Sequence, residues 1–316
     1  MTREVNAILA AIRAGRWAIL PEYLEAIEAL AMRCLTSDVL DVLRNDGHEA
    51  RLAAGLNAIA ATGNRLEGTG MSTLRDGAAV IPVFGPIFPR ANMVNSSAGG
   101  ASLDAIMQDF RVAEASAQVE RIVMVFDSPG GQVSGLGEAA EALRSGSKPL
   151  TAFVTGMAAS AAYWLASQAD EIVVESAAAV GSIGVVANLS RQVGPDQSGR
   201  VAHEIVSSGA PLKRPDPTTD EGRAALQAEV DAFEVTFIAD VATGRKVKAS
   251  TVRSEFGRGA MVAASQAVAA GMADRIGTLE SVLKERRRTG GNPYGGSRAL
   301  AAAKTDVRRR AALNQE

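Results

Sequence analysis

One cysteine, Cys34, and two histidines, His48 and His203, are all that 316 residues hold of the side chains that most often bind transition metals or cross-link a chain. An intramolecular disulfide is excluded, no cysteine cluster has zinc-ligand spacing and no HExxH pattern occurs. A reducing interior is expected, and only carboxylates remain for a hard cation. Charge of one sign is also missing. Lys+Arg 33 against Asp+Glu 35 leaves a formal net charge of -2, which disfavours a dedicated binder of polyanions. No long apolar run stands uninterrupted either. The charge-free stretch Pro149 to Ala169 is broken by Thr151, Thr155, Gly156, Ser160, Ser167 and Gln168, so it reads as a buried strand plus a buried helix. Ala7 to Ile12, bracketed by Glu4, Arg13 and Arg16, is too short for a secretory signal, so a cytoplasmic protein without a membrane anchor is expected.

What is present suffices for a folded enzyme. Hydrophobic residues make up 47% and charged residues 22%, enough to bury one large core or two smaller ones. Residues 1–62 read as a helical N-terminal extension, with Leu20, Tyr23, Leu24, Ile27 and Leu30 at three- and four-residue steps and Val39, Leu40 and Leu43 after the Thr36/Ser37/Asp38 cluster. Glycine-rich residues 63–77 read as a linker. From Ala78 short apolar strands alternate with Ala-rich helices. AAVIPVF (78–84), RIVMVF (121–126), LTAFV (150–154), EIVV (171–174), residues 184–186 and VAHEIV (201–206) are the strand candidates, with helices near 102–117, 134–145 and 159–169. That alternation predicts an α/β domain with largely parallel, covered sheets. Thr218-x-x-Glu221 opens a long helix with the stripe Leu226, Val230, Phe233 and Phe237, a core or subunit-interface face. The compact domain is expected over 78–288, and residues 289–316 form a basic, disordered tail. From Lys284 onward nine basic residues face three acidic ones.

Chemistry concentrates at two strand ends. Asp127-Ser128-Pro129-Gly130-Gly131 follows RIVMVF, and glycines there free backbone amides to meet an oxygen that turns negative during acyl transfer. Ser160 follows LTAFV within Gly156-Met157-Ala158-Ala159-Ser160-Ala161, where small neighbours leave room for a peptide backbone. An isolated serine at such a place is commonly an ordinary helix cap. A serine nucleophile needs a base, and His203 and Lys213 are both downstream candidates. A lysine would have to drop roughly three units from its usual pKa, a cost of about 4 kcal/mol that burial beside a cation could supply. Arg214 cannot serve, since guanidinium stays protonated.

The order VIPVFGPI, IVMVFDSPGGQVSG, TAFVTGMAASAAYWLASQADEIVVESAAAVGSIGVV, SSGAPLK and GAMVAASQAVAAGMADRI resembles the signal peptide peptidase A family of serine proteases over roughly two thirds of the chain. Within it the likeness is greatest to soluble head-maturation proteases of tailed phages. The resemblance implies a Clp/crotonase-type α/β spiral fold behind the helical extension, and a Ser-Lys dyad of Ser160 and Lys213. It further implies an oxyanion site from the backbone of Gly130, Gly131 and Ala161, with Ser182 of the GSIG motif as a possible helper. No cofactor and no metal are implied. Scaffold, capsid and portal proteins are the implied substrates or docking partners, with action in the host cytoplasm or inside the procapsid. A homo-oligomeric ring follows, in which lysine and serine can meet across a subunit boundary. Membrane is not an expected partner, and nucleic acid only through the basic tail. An extended substrate is expected to pair along the segments after Gly131 and around Gly181 to Val185. A host-type soluble peptidase of the same family, a crotonase-like acyl-CoA enzyme and an inert capsid-associated component are the alternatives.

Overall fold

The computed structural model describes residues 15–36, 63–90, 100–188, 194–195, 199, 201, 203 and 205–285. In chain order its strands are β1 (Trp17–Ile19), β2 (Asn64–Arg65), β3 (Thr73–Arg75), β4 (Ala78–Phe84), β5 (Ile87–Phe88), β6 (Ala101–Ser102), β7 (Arg121–Ser128), β8 (Gly130–Gln132), β9 (Leu150–Ala159), β10 (Glu171–Val174), β11 (Ala179–Gly181), β12 (Met261–Ala263) and β13 (Arg275–Ile276). The helices are α1 (Pro21–Thr36), α2 (Leu103–Ala115), α3 (Leu136–Arg144), α4 (Ala161–Ala166), α5 (Asp220–Gly244), α6 (Ala249–Glu255), α7 (Ala264–Ala270) and α8 (Leu279–Lys284).

The centre is the parallel trio β4, β7 and β9. These strands are apolar at nearly every position because both faces are covered. Along β7 the two-residue period splits the side chains. Ile122, Met124 and Phe126 enter the main core with α2, α3 and α4, while Val123 and Val125 pack on the opposite face with Val282 and Leu283. Pro82 is tolerated in β4 because β3 pairs only with Ala78 to Val80, so no neighbour on that edge needs the missing amide. β9 then changes partner along its length. Thr151 to Val154 pair with β10, and Met157 to Ala159 pair with β11, with Gly156 at the hand-over. This turns the sheet through a second layer and brings the end of β9 beside a smaller sheet of order β1-β8-β5-β6.

Several expectations are corrected. Residues 63–77 are no bare linker, since β2 and β3 form a hairpin continued into β4. The loop joining β2 to β3 is clamped by buried Asp109 of α2, which accepts from the amides of Gly70 (2.7 Å), Met71 (3.1 Å) and Ser72 (3.1 Å) and from Ser72 Oγ (2.6 Å). Replacing Asp109 by Ala orphans these donors and is expected to lower stability by about 3 kcal/mol, read as a fall in the urea midpoint at unchanged slope. Trp17–Ile19, read as helical, is a strand. Leu20 precedes a proline and so avoids the helical region, and Pro21 suits the first helical position, so the helix starts after the strand rather than through it. The rest of the expected N-terminal helix and the tail 289–316 lie outside the described residues. Residues 201, 203, 205 and 206 are not in a strand, and of 184–186 only Val186 makes a bridge, to Trp17. The long helix is capped by Thr219, whose side chain accepts from Gly222 at 3.0 Å, one residue after the expected cap. Its stripe is fully buried only at Phe237.

Candidate active site

Ser160 stands at the junction of β9 and α4 with φ 52° and ψ -115°, a conformation that a non-glycine residue holds at a cost of about 1–3 kcal/mol. The backbone is held there by the Ser160 amide donating to the Gly181 carbonyl at 2.7 Å and by the Trp164 amide donating to the Ser160 carbonyl at 2.9 Å. The hydroxyl makes no capping bond to the helix. It donates instead to the Gly184 carbonyl at 3.3 Å, on the segment that follows β11. The ordinary-cap role is therefore not the one this serine plays.

The helix behind Ser160 is fixed by its own residues. Trp164 stacks on Phe237 of α5 with ring centroids 4.4 Å apart, and its Nε1 donates to Asp240 at 2.8 Å. The Tyr163 hydroxyl donates to the Met272 carbonyl at 2.9 Å, and burial raises its pKa well above the ordinary phenol value, with Arg245 opposing. A raised phenol pKa means the unfolded chain releases the proton first. Stability that is complete below about pH 10 is lost as pH rises beyond it. Tyr163→Phe should cost about 1 kcal/mol at pH 8 by loss of the bond, and should flatten the alkaline fall in Tm between pH 8 and 10.5.

The second strand end lies alongside. Gly130 has φ 104°, and a Cβ there would fall on the Ala18 carbonyl oxygen and 3.0 Å from that of Ala159. A Cβ on Gly131 would fall on the Ile87 carbonyl. Both glycines are thus demanded by close backbone approach. Ser128, wholly buried and overlooked in the sequence, shapes this turn: its hydroxyl donates to the Gly85 carbonyl at 2.7 Å and accepts from the Gly130 amide at 3.3 Å. The Ala161 amide opens α4 and has no acceptor within the helix. Asp127 accepts from the Met157 amide at 3.2 Å, and crowding by the strand ends raises its pKa although part of the carboxyl reaches solvent. Ser182 directly follows the Gly181 that receives the Ser160 amide and has φ 51°, so two serines in left-handed conformations lie on neighbouring segments.

Ser160, Ser182, Gly130, Gly131 and Ala161 are therefore assembled in one chain. Lys213 is exposed in a 3-10 turn, Pro211–Lys213, and among the described residues no hydrogen bond joins it to Ser160. His203 is exposed as well. No group of three or more His, Cys, Asp or Glu among the described residues is arranged to hold a metal ion.

Parallel strands handing over between two layers, with a strained serine where one of them meets a helix, define the Clp/crotonase-type α/β fold. Residues 90–178 match the family model "Clp protease" and residues 142–290 match the family model "Peptidase family S49". It is similar to "Capsid assembly protease C" of Escherichia phage lambda, 26% identical over 253 residues that cover 78% of this chain and 57% of the relative. "Head-tail preconnector protein GP5" of Enterobacteria phage P21 is 31% identical over 210 residues, 64% of this chain and 41% of that protein. "Protease 4" of Haemophilus influenzae is 26% identical over 216 residues, 66% of this chain and 34% of that protein. The chain thus spans only part of each relative's length. Among its described residues no helix is long and apolar enough to cross a membrane.

Proposed function

We propose that this chain is a serine endopeptidase that cleaves head proteins during phage assembly, with Ser160 as nucleophile and Lys213 of a neighbouring copy as base. Ser160 gives its hydroxyl proton to the uncharged lysine amine as Oγ attacks the peptide carbonyl. The carbonyl oxygen becomes an oxyanion facing the amides of the Gly130-Gly131 turn and Ala161. The lysine then passes that proton to the departing amine, and water, deprotonated in turn by the same lysine, hydrolyses the acyl-enzyme. Ser182 is proposed to steady the lysine once it arrives. The observation that carries this reading is the Ser160 backbone, strained yet pinned at a strand-helix junction, with its hydroxyl turned away from helix capping.

A ring of copies accounts for the exposed Lys213: docking would both deliver the amine and remove it from water, which favours its uncharged form. Similarity to a capsid assembly protease and to a head-tail preconnector protein of phages supports head proteins as the substrates; capsid, scaffold and portal proteins, met inside the host cell or the assembling head, are the ones proposed. Co-expression of the full chain with capsid, scaffold and portal proteins, followed by intact-mass analysis, tests this. Shortened head proteins are expected with the wild type and none with Ser160→Ala. Equal processing by both would remove Ser160 from the nucleophile's role.

A further inference from the structure

The slot between β8 and the segment carrying Val186 is already filled by a strand of this same chain. β1 runs antiparallel to β8 with Trp17 opposite Gln132, Ala18 opposite Gly131 and Ile19 opposite Gly130. On its other edge Trp17 donates to the Val186 carbonyl at 3.0 Å and accepts from the Val186 amide at 2.8 Å. The Leu20 amide bonds to Pro129 at 2.9 Å and the Val133 amide to Arg16 at 3.0 Å, so the alternation of an antiparallel ladder makes Ala18 and Gly131 a hydrogen-bonded pair. The Gly131 amide thus faces the Ala18 carbonyl. The backbone of Ile19 faces the opposite edge, the side on which Gly184 accepts the Ser160 hydroxyl. With this strand in place Ser160 is only 1% exposed.

The side chains show what the slot selects. Trp17 and Ile19 join Phe88, Leu24, Ile27 and Val186 in a separate apolar cluster, with Trp17 edge-on to Phe88 at 5.9 Å. Ala18 points the other way, into the main core, at 0% exposure. Arg16 anchors the entrance through a 2.6 Å ion pair with Glu229 of α5.

We propose that Arg16–Leu20 is a resident pseudo-substrate, which must leave the slot before another chain can be cleaved, and that its order of apolar, small, apolar residues is the order the slot accepts. This rests on the peptidase reading and deepens it. Exchange of one such strand for another conserves the ladder, so the barrier to a foreign chain is one of concentration. A tethered strand competes at an effective concentration on the order of millimolar, so only a substrate held at comparable local density displaces it.

Two measurements test the proposal. Trp17 and Gln132 form a non-hydrogen-bonded cross-strand pair, a spacing a disulfide can bridge. In a Cys34→Ser chain carrying Trp17→Cys and Gln132→Cys, cleavage of a casein-type unfolded protein should fall at least about tenfold on oxidation and return on reduction. Equal cleavage by both forms overturns occlusion while leaving the peptidase reading intact. Absence of Ser160-dependent cleavage from the reduced form and the wild type overturns the peptidase reading instead. The second measurement needs no turnover. A synthetic Arg-Trp-Ala-Ile-Leu peptide is added to the full-length Ser160→Ala chain and amide exchange is followed at residues 17–20. Loss of protection by about tenfold or more supports displacement, and unchanged protection at saturating bound peptide overturns it.

Discussion

Chains carrying Ser160→Ala or Lys213→Ala are each expected to lose cleavage by a factor of about 10⁴ or more, because a nucleophile and its base act as a unit. Co-assembled, they are expected to recover up to about one quarter of the wild-type rate, the share of sites in a random ring where an intact Ser160 meets an intact Lys213. The reason is their different exposure within one chain: Ser160 is buried beside the end of β9, while Lys213 is exposed in its 3-10 turn and has no hydrogen bond to Ser160 among the described residues. Persistent inactivity of the mixture, with both chains in the same ring, would mean that the base acts within one chain. Full activity of Lys213→Ala would reassign the base, with His203 the first alternative.

The second large effect falls on the glycine turn. Gly131→Ala drives a methyl into the Ile87 carbonyl of β5, which belongs to the scaffold whatever occupies the slot. A loss of about 3 kcal/mol in stability is expected, together with a fall of about 10²-fold or more in kcat as the amide shifts. Gly130→Ala differs in kind. Its methyl meets the Ala18 carbonyl of the resident strand and costs left-handed strain, so its effect should fall more on strand occupancy and on substrate KM than on folding. A Gly130→Ala chain that binds and cleaves like the wild type would separate this turn from the peptide slot.

Much of the frame was legible because parallel, doubly covered strands are continuous apolar runs. Residues 78–84, 121–126, 150–154 and 171–174 all coincide with observed strands. The glycine pair and Ser160 stood out because each closes such a run. What escaped was set by long-range pairing. Trp17–Ile19 is too short to show a period of two, and its only local signal is the Leu20-Pro21 step. The 63–77 hairpin hides behind linker-like composition, because its stability comes from Asp109 nearly forty residues downstream. VAHEIV has strand composition without a sheet edge to receive it at the described positions. Ser128 acts through carbonyls and amides that only the folded turn assembles.

The most direct measurement is an acid quench of the oligomer during turnover of an activated peptide ester, followed by peptide mapping of the trapped acyl group. Acyl attachment at Ser160, absent from Ser160→Ala, is the expected result. Continued cleavage with the acyl group on another residue, or with none on the protein at all, would contradict a Ser160 acyl-enzyme.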